Sequence, residues 1–159
     1  MKRLTAFLLL LIFFLSGCTD TLKEPVTFYY LNRSFQDDMT SAIGSELREA
    51  AGHRDDLMYL MALYLMGPAD EELQSPLPIG TTIQSAEHDG KNVVLTLSDV
   101  TGTMTDARFT MACGCLTLTC LNLTEADNVT IISGDRIITM NTSDLLLQDL
   151  ITADTEEPQ

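Results

Sequence analysis

Four cysteines are the residues of this chain whose type and spacing could do chemistry. Cys113, Cys115 and Cys120 fall within one short segment, where they could bind a metal or form a disulfide. On a helix, Cys113 and Cys120 would lie about 10 Å apart, beyond the roughly 7 Å between Cα atoms that a disulfide allows. Zinc prefers four ligands, so we expect small buried hydrophobic side chains. Because Gly114 weakens a helix, a local break that joins two thiols stays an open alternative.

The other polar candidates predict no catalytic residues, no metal site and no cofactor. His53 and His88 lie in polar, loop-like segments and are expected to be exposed. Ser98 and Ser143 lack the flanking residues of a nucleophile elbow. Three acidic pairs lack the alternating oxygen ligands and the glycine turn of a calcium loop: residues 37–38, 55–56 and 71–72. We therefore expect a protein that is not an enzyme.

Cys18 stands in a different context, at the end of an apolar N-terminal run. Lys2 and Arg3 precede ten uninterrupted apolar residues, 6–15, and Ser16-Gly17 come directly before the cysteine. A basic start, a short apolar core and small residues at its end are typical of an export signal. A membrane-spanning helix would need about twenty apolar residues. The sequence therefore predicts export rather than a transmembrane anchor.

The tetrapeptide Leu15-Ser16-Gly17-Cys18 resembles the bacterial lipobox. In that family the cysteine thiol receives a diacylglyceryl group, and cleavage makes the cysteine the first mature residue. The resemblance implies a signal peptide over 1–17, lipid attachment at Cys18 and a short tether over 18–25. Two acyl chains anchor a protein stably in the bilayer, and the tether spans at most about 25 Å. We expect a domain held at the extracytoplasmic face of the cell membrane; an ordinary secretory signal with an incidental cysteine is the alternative.

The composition is that of one acidic domain. The chain has 159 residues and carries 9 Lys+Arg against 23 Asp+Glu, a net charge of −14. Two of the basic residues, Lys2 and Arg3, would leave with the signal peptide. Such a charge disfavours nucleic acid as a partner, because its phosphates are bound by basic residues. It also disfavours lying flat on an anionic leaflet, and it supports solubility.

Apolar spacing predicts two main helices. Over 55–66, apolar side chains recur at i, i+3, i+4, i+7 and i+8, with Asp55 or Asp56 as the N-cap and Gly67-Pro68 as the end. A second helix is predicted over 106–121. Ser143 is predicted to cap a short closing helix through Leu150, before a flexible acidic tail over 151–159.

Strands are predicted between and before these helices. Residues 26–31 are rich in β-branched and aromatic side chains. Residues 82–87 and 93–98 form a hairpin around Asp89-Gly90, a type I′ signal, and residues 129–132 and 136–140 form another over Gly134-Asp135. Residues 39–51 stay ambiguous, since they combine helical propensity with poor apolar spacing. We expect an α+β fold, with two main helices packed on a single antiparallel or mixed sheet built from hairpins.

The order of several short motifs resembles the GerMN domain of sporulation and spore-germination proteins. No single motif is specific, but together they cover residues 26–150: Tyr30-Leu31-Asn32, Glu46-Leu47-Arg48, Leu63 to Pro68, Leu77-Pro78-Ile79-Gly80-Thr81 and Val94 to Ser98. Gly67, Pro68, Pro78 and Gly80 are structural marks of this pattern, which end a helix and set a turn. The chain departs from the pattern at Leu95-Thr96-Leu97-Ser98 and at Cys113-Gly114-Cys115.

The resemblance implies a non-catalytic module of exported or membrane-anchored proteins in Gram-positive bacteria. Members are linked to spore formation and germination, or are envelope lipoproteins. It implies an envelope or membrane protein as partner, and strand addition at hairpin edges would be one way to dock it. The alternative is an extracytoplasmic sensor or binding module for a cell-wall fragment or small molecule. Sugar sites usually carry exposed aromatic side chains, and this chain has no Trp.

Overall fold

A computed structural model describes residues 23–36 and 42–145 of the chain. Cys18, the predicted signal peptide and the acidic tail lie outside the described residues. Of the predicted closing helix, the structure describes a single turn, α3, over Thr142–Leu145. Asn141 accepts a hydrogen bond from the backbone N–H of Ser143 through its side-chain oxygen, at 2.8 Å.

The first sheet begins with the predicted N-terminal strand. β1 spans Pro25–Asn32 and is followed by a 3₁₀ turn over Arg33–Gln36. Val26, Phe28 and Tyr30 alternate into the core, and all three are buried. The ambiguous segment is β2, Ile43–Glu49, which pairs antiparallel with β1. Pairing along a neighbouring strand thus overrides the helical propensity of this segment.

Helix α1 spans Leu57–Leu65, within the predicted range. The Asp56 side chain accepts a hydrogen bond from the backbone N–H of Tyr59, which confirms the N-cap. Met66 is the C-cap, and Gly67 follows with a φ of +85°. That left-handed conformation favours glycine. After the helix, a two-residue strand that the sequence did not suggest, β3 (Leu73–Gln74), pairs with the end of β1.

The second sheet contains both predicted hairpins. β4 (Ile83–His88) pairs antiparallel with β5 (Asn92–Leu97), and β6 (Asn128–Ser133) pairs antiparallel with β7 (Arg136–Asn141). The type I′ prediction at Asp89-Gly90 is wrong. Type I′ requires positive φ at both central residues, whereas here Gly90 has a φ of +93° and Lys91 does not. Glycine at the first central position is typical of type II′.

Helix α2 spans Asp106–Leu123 and links β5 to β6, which lie parallel in the second sheet. It packs against β1 of the first sheet and against β6 and β7 of the second. Consecutive residues from Ala112 to Thr117 are buried. A helix that is buried on all sides carries apolar or small residues around its whole circumference. α2 is therefore the layer between the two sheets.

The α+β class is confirmed, and the strands divide into two sheets where the sequence predicted one. The first sheet has the order β2-β1-β3 and the second β4-β5-β6-β7. The sheets divide at β1. Part of its second edge is hydrogen-bonded by side chains of the helices and not by a neighbouring strand. The Tyr29 N–H donates to Thr119 Oγ1 of α2 at 3.0 Å, and the Tyr29 carbonyl accepts from the Tyr64 hydroxyl of α1 at 3.0 Å.

Two tyrosines join β1 to α1 by reciprocal hydrogen bonds. The Tyr30 hydroxyl donates to the Tyr64 carbonyl at 3.0 Å, while the Tyr64 hydroxyl donates to the carbonyl of Tyr29. Their rings stack with centroids 4.7 Å apart, and Phe28 meets both edge-on. Burial raises the pKa of both hydroxyls, and the Glu46 carboxylate adds to the rise at Tyr30. Both groups therefore stay protonated and able to donate.

None of the helices within residues 23–36 and 42–145 combines the length and apolar character that crossing a bilayer requires.

We expect Tyr64→Phe to lower the free energy of unfolding by about 1–3 kcal/mol, because the Tyr29 carbonyl loses the donor that the buried Tyr64 supplies. Urea denaturation of the purified chain measures this. Tyr59→Phe is the matched control, since Tyr59 lies on the same helix and is 36 % exposed. It should change the free energy by less than about 0.5 kcal/mol. Equal effects of the two substitutions would contradict the role given to Tyr64.

Candidate interaction surface

The three thiols that the sequence singled out lie inside the fold. Cys113, Cys115 and Cys120 are free and buried on α2. Cys120 Sγ lies 3.9 Å from Met61 Sδ on α1, so it packs between the helices. Burial raises the pKa of each thiol to about 12. Their small size lets α1 and both sheets approach the same helix, which agrees with the predicted role as buried hydrophobic side chains.

The histidines and the described acidic pairs lie at the surface or take part in hydrogen bonds of the fold. His53 and His88 are exposed, and the His53 ring stacks on Tyr59 with centroids 4.1 Å apart. Asp56 caps α1. Glu72 accepts a hydrogen bond from the backbone of Arg33 through its own carbonyl. The pair 37–38 lies outside the described residues. Within residues 23–36 and 42–145, no three His, Cys, Asp or Glu side chains are grouped to hold a metal ion.

The motif residues of the first half of the chain meet at the turn after α1. Arg48 donates to the Gly67 carbonyl at 3.1 Å and pairs with Glu46 at 2.8 Å. The Glu46 carboxylate accepts the backbone N–H groups of Ala69 and Asp70, the residues that follow Pro68. This carboxylate therefore satisfies two backbone donors of the loop that follows the helix, while Arg48 satisfies a carbonyl of the same turn. The Glu-Leu-Arg and Gly-Pro motifs are two halves of one structural contact.

The second motif, Leu77 to Thr81, forms a turn that is defined by its backbone conformation and by local hydrogen bonds. Gly80 has a φ of +90°, which a residue with a side chain rarely adopts. Thr81 donates to the Pro78 carbonyl twice, from its N–H at 3.2 Å and from its hydroxyl at 2.8 Å. The turn leaves the side chain of Ile79 fully exposed. Pro78 and Gly80 therefore direct the chain into β4.

These elements also create an ordered surface on the side of the second sheet that faces away from α2. In β5 and β6, one set of alternate residues is buried and the other set points outward. We call the outward set, with its neighbours in β4 and β7, the outer face. The outer face consists of Ser85, Glu87, Asn92, Val94, Thr96, Asn128, Thr130, Ile132, Ile137, Thr139 and Asn141.

The outer face is nearly free of charge on a strongly acidic chain. Glu87, on the edge strand β4, is its one charged residue, whereas the whole chain carries −14. Four strands spaced about 4.8 Å apart and six residues long give a patch of roughly 15–20 Å in each direction. Ile137 lies on it with 66 % of its surface exposed. Depletion of charge is the compositional mark of an interface core.

Hydrogen bonds across the strands hold this face in shape. Thr130 Oγ1 and Thr139 Oγ1 lie 2.9 Å apart between β6 and β7. The Asn128 side-chain amide donates to that of Asn92 at 3.3 Å across the parallel pair. The face is therefore preorganised, which lowers the entropy cost of binding a rigid partner. The strands of this face follow from local sequence patterns, but the face does not, because the parallel pairing of β5 with β6 leaves no local signal.

Comparison with known proteins supports the fold. No protein-family model and no curated protein matches the chain. Among solved structures, the tandem GerMN domains of the sporulation protein GerM from Bacillus subtilis are similar, with a TM-score of 0.53 and 16 % identity. The match covers 76 % of this chain and 43 % of that one. A Clostridium perfringens protein described as a candidate lipoprotein matches over 77 % of this chain and 90 % of its own, at 14 % identity and a TM-score of 0.47. The described domain is GerMN-like in fold.

Because the three thiols are buried, we expect them to resist an aromatic disulfide reagent at about pH 8 and to react in denaturant. A Cys18→Ala chain isolates the signal of the three described cysteines. Absorbance should show no release from the native protein and three equivalents after unfolding. Rapid release from the native chain would contradict the packing of α2.

The raised thiol pKa values also predict a loss of stability at high pH. Unfolded thiols ionise near their ordinary value of 9.0, whereas the folded ones ionise near 12. Each protonated thiol therefore stabilises the fold fully below its ordinary pKa of 9.0, and this contribution is lost as the pH rises from there to about 12. Urea midpoints measured across this pH range should fall, and a Cys113→Ala chain should lose less than the parent. An identical decline in both chains would argue against this source.

Proposed function

We propose that this chain is a lipid-anchored, non-enzymatic interaction domain at the extracytoplasmic face of the bacterial membrane. The proposal starts from the GerMN-like fold and from the lipobox-like sequence that ends at Cys18. The partner of the domain is another envelope protein, in an assembly role of the kind that sporulation or germination requires. The observation that carries this proposal is the outer face, which carries a single charged residue, Glu87, and is ordered and open on an otherwise acidic chain. The fold likeness and the N-terminal sequence support the setting.

Electrostatics favours the outer face as the docking surface. A protein with a charge of −14 repels other acidic surfaces along most of its exterior. The outer face escapes this repulsion, since Thr, Asn, Val and Ile side chains cover it. Ile137, an exposed apolar residue on the edge strand β7, lies on a face whose polar groups hydrogen-bond one another, and such a mixture of apolar and polar side chains is typical of protein interfaces.

The size of the face sets the class of interaction. A patch of roughly 15–20 Å on each side is at the low end of specific interfaces, which is typical of transient or multivalent contacts. Attachment to a membrane compensates for modest affinity, because two anchored proteins share a thin layer and meet at high effective concentration. Strand addition is less favoured at β4, whose register shifts between Ile83 and Ser85, since a bulge disrupts an edge for pairing.

The anchor is tested by replacing Cys18. We expect Cys18→Ala to move the protein from the membrane fraction to the soluble exported fraction, because the thiol is the proposed site of the lipid. Mass spectrometry of the parent should show a diacylglyceryl adduct on Cys18, and circular dichroism of the variant should be unchanged. If the variant remains in the membrane fraction as the parent does, lipid anchoring at Cys18 is wrong.

The docking surface is tested with two matched charge insertions. Ile137 on the outer face is 66 % exposed, and Leu47 on β2 is 60 % exposed, so both tolerate a polar side chain. Ile137→Glu should reduce recovery of a cross-linked envelope partner by about tenfold or more, since a desolvated unpaired charge opposes binding. Leu47→Glu should leave recovery unchanged. Thermal melts of both variants verify folding.

Two results would overturn the use of the outer face. One is full recovery of the partner with Ile137→Glu. The other is an equal loss with both substitutions, because that would reflect a general effect of added negative charge.

A further inference from the structure

A cleft beside the end of β1 gathers two arginines of this acidic chain. Arg33 follows β1 and Arg108 lies in the first turn of α2, and both line one cleft of about 600 Å³. The walls include Gln74, Pro76 and Met111. This volume lies in the range of small-molecule sites, which combine apolar walls with a few convergent polar groups. None of the cleft residues belongs to the outer face.

These two guanidinium groups differ from Arg48 and Arg136, which form ion pairs, and resemble Arg54, which does not. Arg48 pairs with Glu46, Arg136 pairs with Asp106 at 3.0 Å, and Arg54 donates to the Pro25 carbonyl. In contrast, within residues 23–36 and 42–145, neither Arg33 nor Arg108 forms an ion pair. The whole chain carries 23 acidic side chains against 9 basic ones, so cations without a carboxylate are unexpected by composition alone.

Both arginines lie at the wall of the cleft, each in a different local setting. Arg33 Nε donates to the Leu73 carbonyl at 2.9 Å, which orients the guanidinium and uses one of its five N–H donors. Arg108 occupies the third residue of α2, at the positive end of the helix dipole. A cation there is disfavoured and an anion is favoured. A bound anion would be attracted by the N-terminus of α2 and by the positive charge of the two guanidinium groups.

We propose that this arginine cleft binds an oxyanion group, carboxylate or phosphate, carried by a small ligand. Guanidinium groups bind both oxyanions through paired, charge-assisted hydrogen bonds. The Gln74 amide supplies a neutral donor, and Met111 and Pro76 contact the apolar part of the ligand. Binding here would give the anchored domain a ligand-responsive site separate from its protein-docking face.

The test is calorimetric titration of the full chain in neutral detergent micelles at low ionic strength. Inorganic phosphate is the first probe, with sodium chloride of matched ionic strength as the blank. An acetylated dipeptide with a free carboxylate and its C-terminal amide are the second pair. We expect saturable phosphate binding, competition by the dipeptide acid and none by its amide. The relative affinities of phosphate and dipeptide acid then assign the source of the oxyanion.

Two substitutions that each remove one positive charge, one inside the cleft and one outside it, locate the site. Arg108→Gln should weaken binding by about tenfold, the loss of one charge-assisted hydrogen bond. Lys91→Gln, on the exposed β4–β5 turn, should change it by less than about twofold, because it lies outside the cleft. Arg33→Lys keeps the charge but loses the forked geometry and should also weaken binding. Melting temperatures of all three chains verify folding.

Three outcomes would overturn the proposal. The first is the absence of saturable binding by phosphate and by the dipeptide acid. The second is equal weakening by Arg108→Gln and Lys91→Gln, which would mean general attraction. The third is binding that occurs only in an Asp37→Asn/Asp38→Asn chain, because the arginines would then be neutralised by the chain's own carboxylates.

Discussion

The architecture depends on how β1 satisfies its two edges. One edge pairs with β2 along the strand, whereas the other pairs with β3 only at its end and is bonded at Tyr29 by the hydroxyls of Thr119 and Tyr64. Side chains from both main helices therefore take the place of a neighbouring strand. This constraint holds α1 and α2 against β1, divides the strands into two sheets and leaves the second sheet with its outer face open. Buried backbone groups without partners would be costly at this position.

Local signals in the sequence predicted most of the elements, because those elements are specified locally. Apolar spacing with Asp56 and Gly67 at its ends defines α1, and glycine at two tight turns defines both hairpins. The β2 segment could not be assigned, since Glu46 and Arg48 favour a helix in isolation. In the fold they work from a strand, where they bind the turn that follows α1. Their roles depend on contacts 19 and 23 residues away in the sequence, which no local pattern contains.

The candidate sites were harder to predict than the elements for the same reason. The outer face exists because α2 carries the chain from β5 to a parallel β6, so that Val94 and Thr130 become neighbours. The arginine cleft joins Arg33 to Arg108, which are distant in sequence. The cysteines, by contrast, drew attention through their chemistry, yet they serve as small residues in a helix buried on all sides. In this domain the reactive cysteines serve the packing of α2, whereas Thr, Asn, Val and Ile residues of the strands form the candidate interaction surface.

Site-specific photo-crosslinking in intact cells tests the central claim most directly, because it reads the contact in the native envelope. A photoreactive residue at Thr139 of the outer face should yield a discrete cross-linked product in the membrane fraction. The same residue at Ser45, which is exposed on β2 of the first sheet, should yield none. A product at Ser45 with none at Thr139 would contradict docking through the outer face.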